Sequence, residues 1–246
     1  MSDDTQLETL VMPERLLDAI NSINISVNSS MTKEELLSWV PIREFLWKNI
    51  MREESLGHIR PGQKVLELGS GSGDSILTWS YQGYPVTGIE LNSELFSRSK
   101  EFLKRYSSMQ NAPVQLFSGS YYSKEYLKDR KNDDNIVRIE KECVSHLRAN
   151  GTSNVDHLRA RFRPVCDVDV YKANGIDMKD FDIWYAYLWT YQAPSVLDMF
   201  KKYARDDAKM LLISKWGDDV ALELGLEVHK SSNIVTKKQH SYSFYR

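Results

Sequence analysis

Two acids and three glycines carry the chemistry of this chain. Glu67, Gly69, Gly71 and Gly73 stand in Val65-Leu-Glu-Leu-Gly-Ser-Gly-Ser-Gly-Asp74, and Glu90 closes Val86-Thr-Gly-Ile-Glu90. Glycines at every second position let the backbone turn sharply and lie against a ligand with no Cβ in the way. A loop built for a dinucleotide would read G-x-G-x-x-G and set the pyrophosphate on a helix N-terminus. Counted from Gly69, the last glycine of that pattern falls on Asp74; counted from Gly71 it falls on Ile76. Asp74 also has the wrong sign for a pyrophosphate. Glu67, two residues ahead of the first glycine, suits a ligand with a positive end.

The elements that must position these residues are legible around them. Lys64 to Leu68 is short, apolar and flanked by Pro61 and Gly62, as a parallel strand buried on both faces should be. Ser75 to Gln82 carries a helix that Gly83-Tyr84-Pro85 stops, and Val86 to Glu90 is the next strand. Strand, glycine turn, helix and acid-terminated strand build the ligand crevice of an open α/β sheet.

With these residues the chain resembles the class I S-adenosylmethionine-dependent methyltransferases, whose first motif is acid-x-Gly-x-Gly-x-Gly. Glu67-Leu-Gly-Ser-Gly-Ser-Gly73 matches it, and Glu90 matches the family's second acid. The resemblance spans roughly 58–122 and 181–246. It implies a Rossmann-like, seven-stranded, mostly parallel sheet with helices on both faces and an antiparallel final strand. It implies S-adenosyl-L-methionine as cofactor, with Glu67 on the ammonium end, directly or through water, and Glu90 on the ribose hydroxyls. The family often has an acid after the third strand for the adenine amino group. Here Ser118 and Ser120 stand instead, so adenine recognition falls to a hydroxyl or the backbone around Ser120 and Tyr121.

Beyond the motif, residues 1–57 read as a helical N-terminal cap, with helices at Pro13 to Ile20, Thr32 to Leu36 and Ile42 to Ile50. Residues 58–246 read as the methyltransferase domain. Ser93 to Tyr106 is a helix and Val114 to Phe117 a third strand. Residues 123–180 form a helical insert on the substrate side, with one charged helix from Lys124 to Ala149. Phe181 to Trp189 and Lys209 to Ser214 are the fourth and fifth strands. Leu226 to His229 with Ile234 to Thr236, and Ser241 to Tyr245, supply the last two.

The acceptor side is expected beyond the fourth strand. Tyr121, Tyr122, Tyr187, Trp189 and Tyr191 would ring the pocket mouth, with Tyr187 and Trp189 positioning the acceptor. His157 and His146 are the candidate bases, with His58 behind them. The Asn/Asp-Pro-Pro-Tyr motif of enzymes that methylate planar amino groups is absent. Asp182 lies at the wrong end of its strand for a metal cluster, and no metal is expected. Cys143 and Cys166 have neither metal-ligand spacing nor a disulfide framework.

A hydrophobic content of 41% and a charged content of 27% belong to an ordinary globular protein, and no apolar run approaches the roughly 18 residues of a membrane span. The N-terminus lacks the blocks of a signal peptide, so a cytoplasmic location is expected. A net charge of −2 supplies no global attraction for nucleic acid. A small-molecule acceptor is therefore favoured. The rival readings are a protein or RNA methyltransferase docking through Arg148, Arg159, Arg161 and Arg163 of the insert, and a non-catalytic cofactor-binding scaffold or sensor.

Overall fold

The computed structural model describes residues 11–30, 44–131, 133–149, 167–188, 190–213, 217–228 and 234–237. It divides into two compact units, Met1–Ser118 and Gly119–Arg246. Seven strands in a mixed, mostly parallel sheet, with nine α-helices among the described residues, make an α/β fold of the Rossmann-like kind.

In the first unit, helices α1 (Glu14–Ser30) and α2 (Glu44–Ser55) precede β1 (Val65–Leu68), α3 (Asp74–Tyr81), β2 (Val86–Glu90), α4 (Ser93–Arg105) and β3 (Val114–Ser118). The strands are parallel in the order β3-β2-β1, with Glu67 opposite Gly88 and Glu90 opposite Ser118. β1 and β2 are buried at every residue, as their apolar runs require. α3 packs so deeply that Asp74 through Ser80 are all buried. α1 runs ten residues past its expected end at Ile20. Its later turns are poor in intrinsic helix formers, but Leu16, Ala19, Ile20, Ile23 and Val27 make one buried stripe that outweighs propensity. Ser22 Oγ lies 3.0 Å from Tyr106 Oη and ties α1 to the end of α4. Asn92 starts α4 by accepting from the Glu94 and Leu95 amides at 2.9 and 3.2 Å. The expected helix at Thr32 to Leu36 lies outside the described residues.

In the second unit, α5 (Lys124–Arg130), α6 (Asp134–Ala149) and α7 (Val170–Asn174) lead to β4 (Ile183–Tyr187), α8 (Ala193–Tyr203), β5 (Lys209–Ile213), α9 (Gly217–Glu223), β6 (Leu226–Val228) and β7 (Ile234–Lys237). The single charged helix expected from Lys124 to Ala149 is two helices. Asp133 accepts from the Ile136 amide at 3.3 Å and starts a new one. Arg130 then reaches Glu140 on α6 and Ser195 on α8, fastening three helices together. β4 and β5 are parallel, and β7 runs antiparallel to both β5 and β6. Trp184 and Tyr185 are core residues, and Trp184 packs edge-on against Phe200 at 5.6 Å. Residues 241–245, expected as a strand, lie outside the described residues. No helix among the described residues is long and apolar enough to cross a membrane.

Gly88 packs closely against three neighbours in the first unit. A Cβ there would stand 2.6 Å from Ile76 Cδ1, 2.8 Å from Ser70 Cβ and 2.9 Å from Leu116 Cδ2. Gly88→Ala is expected to lower stability by about 1–3 kcal/mol through overpacking. Ile76→Val in the same chain should recover part of the loss, read as urea midpoints.

Candidate functional site: a carboxylate-lined glycine loop

The loop between β1 and α3 brings Glu67, Gly69, Gly71, Gly73 and Glu90 together in the first unit. The three glycines have φ of 83°, 54° and 88°, a backbone that side chains strain to adopt. Gly73 is fixed twice over, because a Cβ on it would also meet Ser99 Oγ at 2.5 Å. The loop is pinned to β2 by the Gly69 and Ser70 amides, which donate to the Ile89 carbonyl at 2.9 and 3.0 Å.

Glu90 is held from both sides. Its Oε2 accepts from the Gly71 amide at 2.8 Å and its Oε1 from the Asn92 amide at 2.7 Å. A carboxylate oxygen has two lone pairs, so each retains capacity for a ligand hydroxyl. Burial pushes the Glu90 carboxyl above its ordinary range, against the pull of the Asn92, Gly71 and Leu91 amides.

Glu67 is buried at 1% exposure in the middle of β1. Ser75 Oγ donates to its Oε1, while Oε2 is buried with no hydrogen-bond partner. Burial raises the Glu67 carboxyl well above the usual range; Asp74 and Glu90 add to that, and only the Ser75 hydroxyl opposes it. Asp74 opens α3 at 2% exposure, and its Oδ1 accepts from Ser72 Oγ at 3.3 Å. Ser75 and Gly88 were missed as site residues by sequence reasoning, which read Asp74 only as a charge unsuited to a pyrophosphate. The interior glycine of a strand was the available signal for Gly88, since such glycines mark close approach.

The second unit holds the other candidates. Ser120 is buried, and its hydroxyl accepts from the Tyr122 amide at 3.1 Å, closing a local turn. Tyr121 Oη accepts from Gln192 Nε2 at 3.0 Å, and its carbonyl accepts from Tyr171 Oη at 2.8 Å. Tyr187 ends β4 at 41% exposure. Trp189 and His157 lie outside the described residues, as do Arg159, Arg161 and Arg163.

The expected ring of aromatics needs correction: Tyr122 and Tyr191 are interior, at 3% and 6% exposure. Tyr122 instead stacks on Tyr126 at 5.9 Å and meets Tyr121 tilted at 4.6 Å. His58 is also interior, with Nδ1 2.6 Å from Glu53 Oε2, a structural pair rather than a base open to substrate. His146 is exposed on α6. Burial pushes the Cys143 thiol up to about 11, which makes it a poor nucleophile. No group of three or more His, Cys, Asp or Glu among the described residues is arranged to hold a metal.

No protein-family model matches this chain. No curated protein matches it either. Solved structures do, and they include S-adenosylmethionine-dependent methyltransferases. A methyltransferase from Geobacter sulfurreducens is 10% identical over 94% of this chain and 91% of its own, with a TM-score of 0.49. The O-methyltransferase from Bacillus cereus, solved with S-adenosylhomocysteine, is 12% identical over 85% and 70%, with a TM-score of 0.46. An S-adenosylmethionine-dependent methyltransferase from Agrobacterium tumefaciens is 14% identical over 75% of this chain, with a TM-score of 0.38. The chain spans 45% of that protein's length.

The buried Glu67 carboxyl makes stability pH-dependent in a defined direction. A raised folded-state value means that the folded protein holds a proton the unfolded chain has released, so stability falls as pH rises above the ordinary 4.5 toward that raised value. Glu67→Gln is expected to flatten this fall. Urea midpoints of both proteins, taken from roughly pH 4 to pH 8, should diverge upward in favour of the variant. Parallel profiles would show that Glu67 ionises without penalty.

Proposed function

We propose that this chain is an S-adenosylmethionine-dependent methyltransferase, with the cofactor seated on the β1–α3 loop. The observation that carries the reading is the buried Glu67 Oε2, an acceptor with no donor beside a loop whose glycines leave backbone bare. Ionising a carboxyl where it is buried is costly, and an ammonium group opposite Glu67 would offset that cost. The donor set fits the cofactor: Glu67 takes the ammonium, Gly69, Gly71 and Gly73 permit close approach, and Glu90 takes the ribose hydroxyls. The bound cofactor supplies an electrophilic methyl group on a sulfonium sulfur.

The work left to the chain is positional. Glu90 arrives oriented by the Gly71 and Asn92 amides, so little ordering remains on binding. Ser75 holds one Glu67 oxygen and leaves the other without a protein partner. Holding an acceptor in line with the methyl is the chief source of rate in such a displacement. We assign that role to Tyr187 and Trp189, with Ser120 and Tyr121 on the adenine side and His157 as the base for an acceptor that must lose a proton. The balanced charge, −2 overall, favours a small-molecule acceptor over nucleic acid, and the two cysteines suit a cytoplasmic protein.

Calorimetric titration with S-adenosylmethionine and S-adenosylhomocysteine, with NAD as control, tests the reading. The first two should bind in the micromolar range and NAD should not. Glu90→Ala should weaken both by about tenfold or more, the worth of hydrogen bonds to a charged acceptor. Binding of NAD alone, or unchanged affinity in the variant, would overturn the cofactor placement.

A further inference from the structure

β3 is the terminal strand of the sheet, and no strand among the described residues pairs with its outer edge. β1 and β2 are buried at every residue, whereas no residue of β3 is fully buried. The Val86 amide donates to the Pro113 carbonyl at 2.9 Å, and the alternation of the ladder then turns the amides and carbonyls of Val114 and Leu116 outward. Those two residues also share the face of the strand that looks toward α4. With Leu103 of α4 they floor a groove of about 520 Å³ that lies wholly within the first unit.

Bare strand edges invite pairing, and proteins commonly blunt them with a charge or a proline. β3 has neither: it reads Val114-Gln-Leu-Phe-Ser118, and Pro113 stands just ahead of it. Charge sits beside the strand instead, on the rim that α4 forms. Lys100, Glu101 and Lys104 line the groove, two ammonium groups to one carboxylate. Lys100 stands over the Phe96 ring at 5.6 Å, and neither lysine makes an ion pair with a described residue. Arg98 on the same helix is already held by Glu94. The groove thus combines outward backbone groups, an apolar floor and an excess of positive charge. A second copy of the chain would supply an edge strand but bring the same positive excess with it.

We propose that the outer edge of β3 docks an extended segment of another protein, one with an acidic residue between apolar ones. Main-chain hydrogen bonds to Val114 and Leu116 provide the hold, and side chains at alternate positions provide the choice. Residues two apart on the added strand face the groove together. An apolar-x-acid-x-apolar pattern therefore sets two side chains on the floor and one carboxylate between Lys100 and Lys104. The rim charges are exposed, so their effect is modest and screened by salt. This surface goes beyond the cofactor reading and does not depend on it.

Fluorescence anisotropy at low salt tests this with labelled peptides of sequence Thr-Val-Thr-Glu-Thr-Val-Thr, and with lysine in place of the glutamate. The wild-type chain should bind the acidic peptide about fivefold more tightly than the basic one. Lys100→Glu combined with Lys104→Glu should reverse that preference; both side chains are exposed on α4, so the double variant keeps its fold. Two N-methylated forms of the acidic peptide, one blocked at the valines and glutamate and one at the threonines, read the backbone pairing. One of them should bind about tenfold more weakly and the other should not. No binding by the folded wild type at millimolar peptide would overturn the proposal, and sedimentation as a dimer would then assign the edge to a second copy. Equal affinity for the acidic and basic peptides, a preference unmoved by the double variant, or equal affinity for the two methylated forms would overturn it as well.

Discussion

Placing an ionisable carboxyl in the middle of a fully buried strand is the constraint from which the first unit takes its form. β1 is four residues long, and the other three are Val65, Leu66 and Leu68. A fourth aliphatic residue would pack without a desolvation cost, whereas Glu67 needs donors. The fold supplies one through Ser75, at the second residue of α3, and α3 must lie close to the sheet to bring it there. Gly88 permits that approach. It stands opposite Glu67 in register, and its missing side chain leaves room for Ile76 of α3 and Ser70 of the loop.

The same economy of space links the loop to the next helix. Gly73 lies against Ser99 in α4, close enough that no side chain fits. α4 begins at Asn92, whose amide donates to Glu90 while its side chain caps the helix. Glu90 in turn accepts from Gly71 in the loop. The loop, the end of β2 and the start of α4 thus form a closed circuit of contacts. A ligand entering it meets acceptors already oriented, and the circuit limits the ordering that binding would otherwise require.

What the sequence discloses follows from how far apart the partners are along the chain. The glycine spacing and the acids at 67 and 90 are local features, readable because a strand, a tight turn and a strand end each have their own residue pattern. The Ser75 contact depends on how closely a helix approaches a sheet, and the pairing of Gly88 with Glu67 depends on register, neither of which a local pattern states. The break at residues 131–133 escaped notice because Lys131-Asn-Asp133 is polar on a charged helix, where a cap and a solvated turn look alike. The second half of α1 was hidden for the opposite reason: Asn and Ser lower helix propensity there, and only burial of Ile23 and Val27 overrides it.

The aromatic residues of the second unit show where sequence reasoning is weakest. A tyrosine presents an apolar ring and a polar tip, so composition alone does not say whether it lines a pocket or fills a core. Tyr122, Tyr126 and Tyr191 are buried, Tyr121 is engaged by Gln192, and Tyr187 stands out at its strand end. Burial raises the hydroxyls of Tyr122, Tyr126 and Tyr191 far from physiological pH, so these groups contribute shape and hydrogen bonding rather than proton transfer. The contrast with the first unit is physical. There Glu67 keeps one buried carboxyl oxygen with no hydrogen-bond partner, whereas Tyr121, Tyr122 and Tyr126 pack ring against ring.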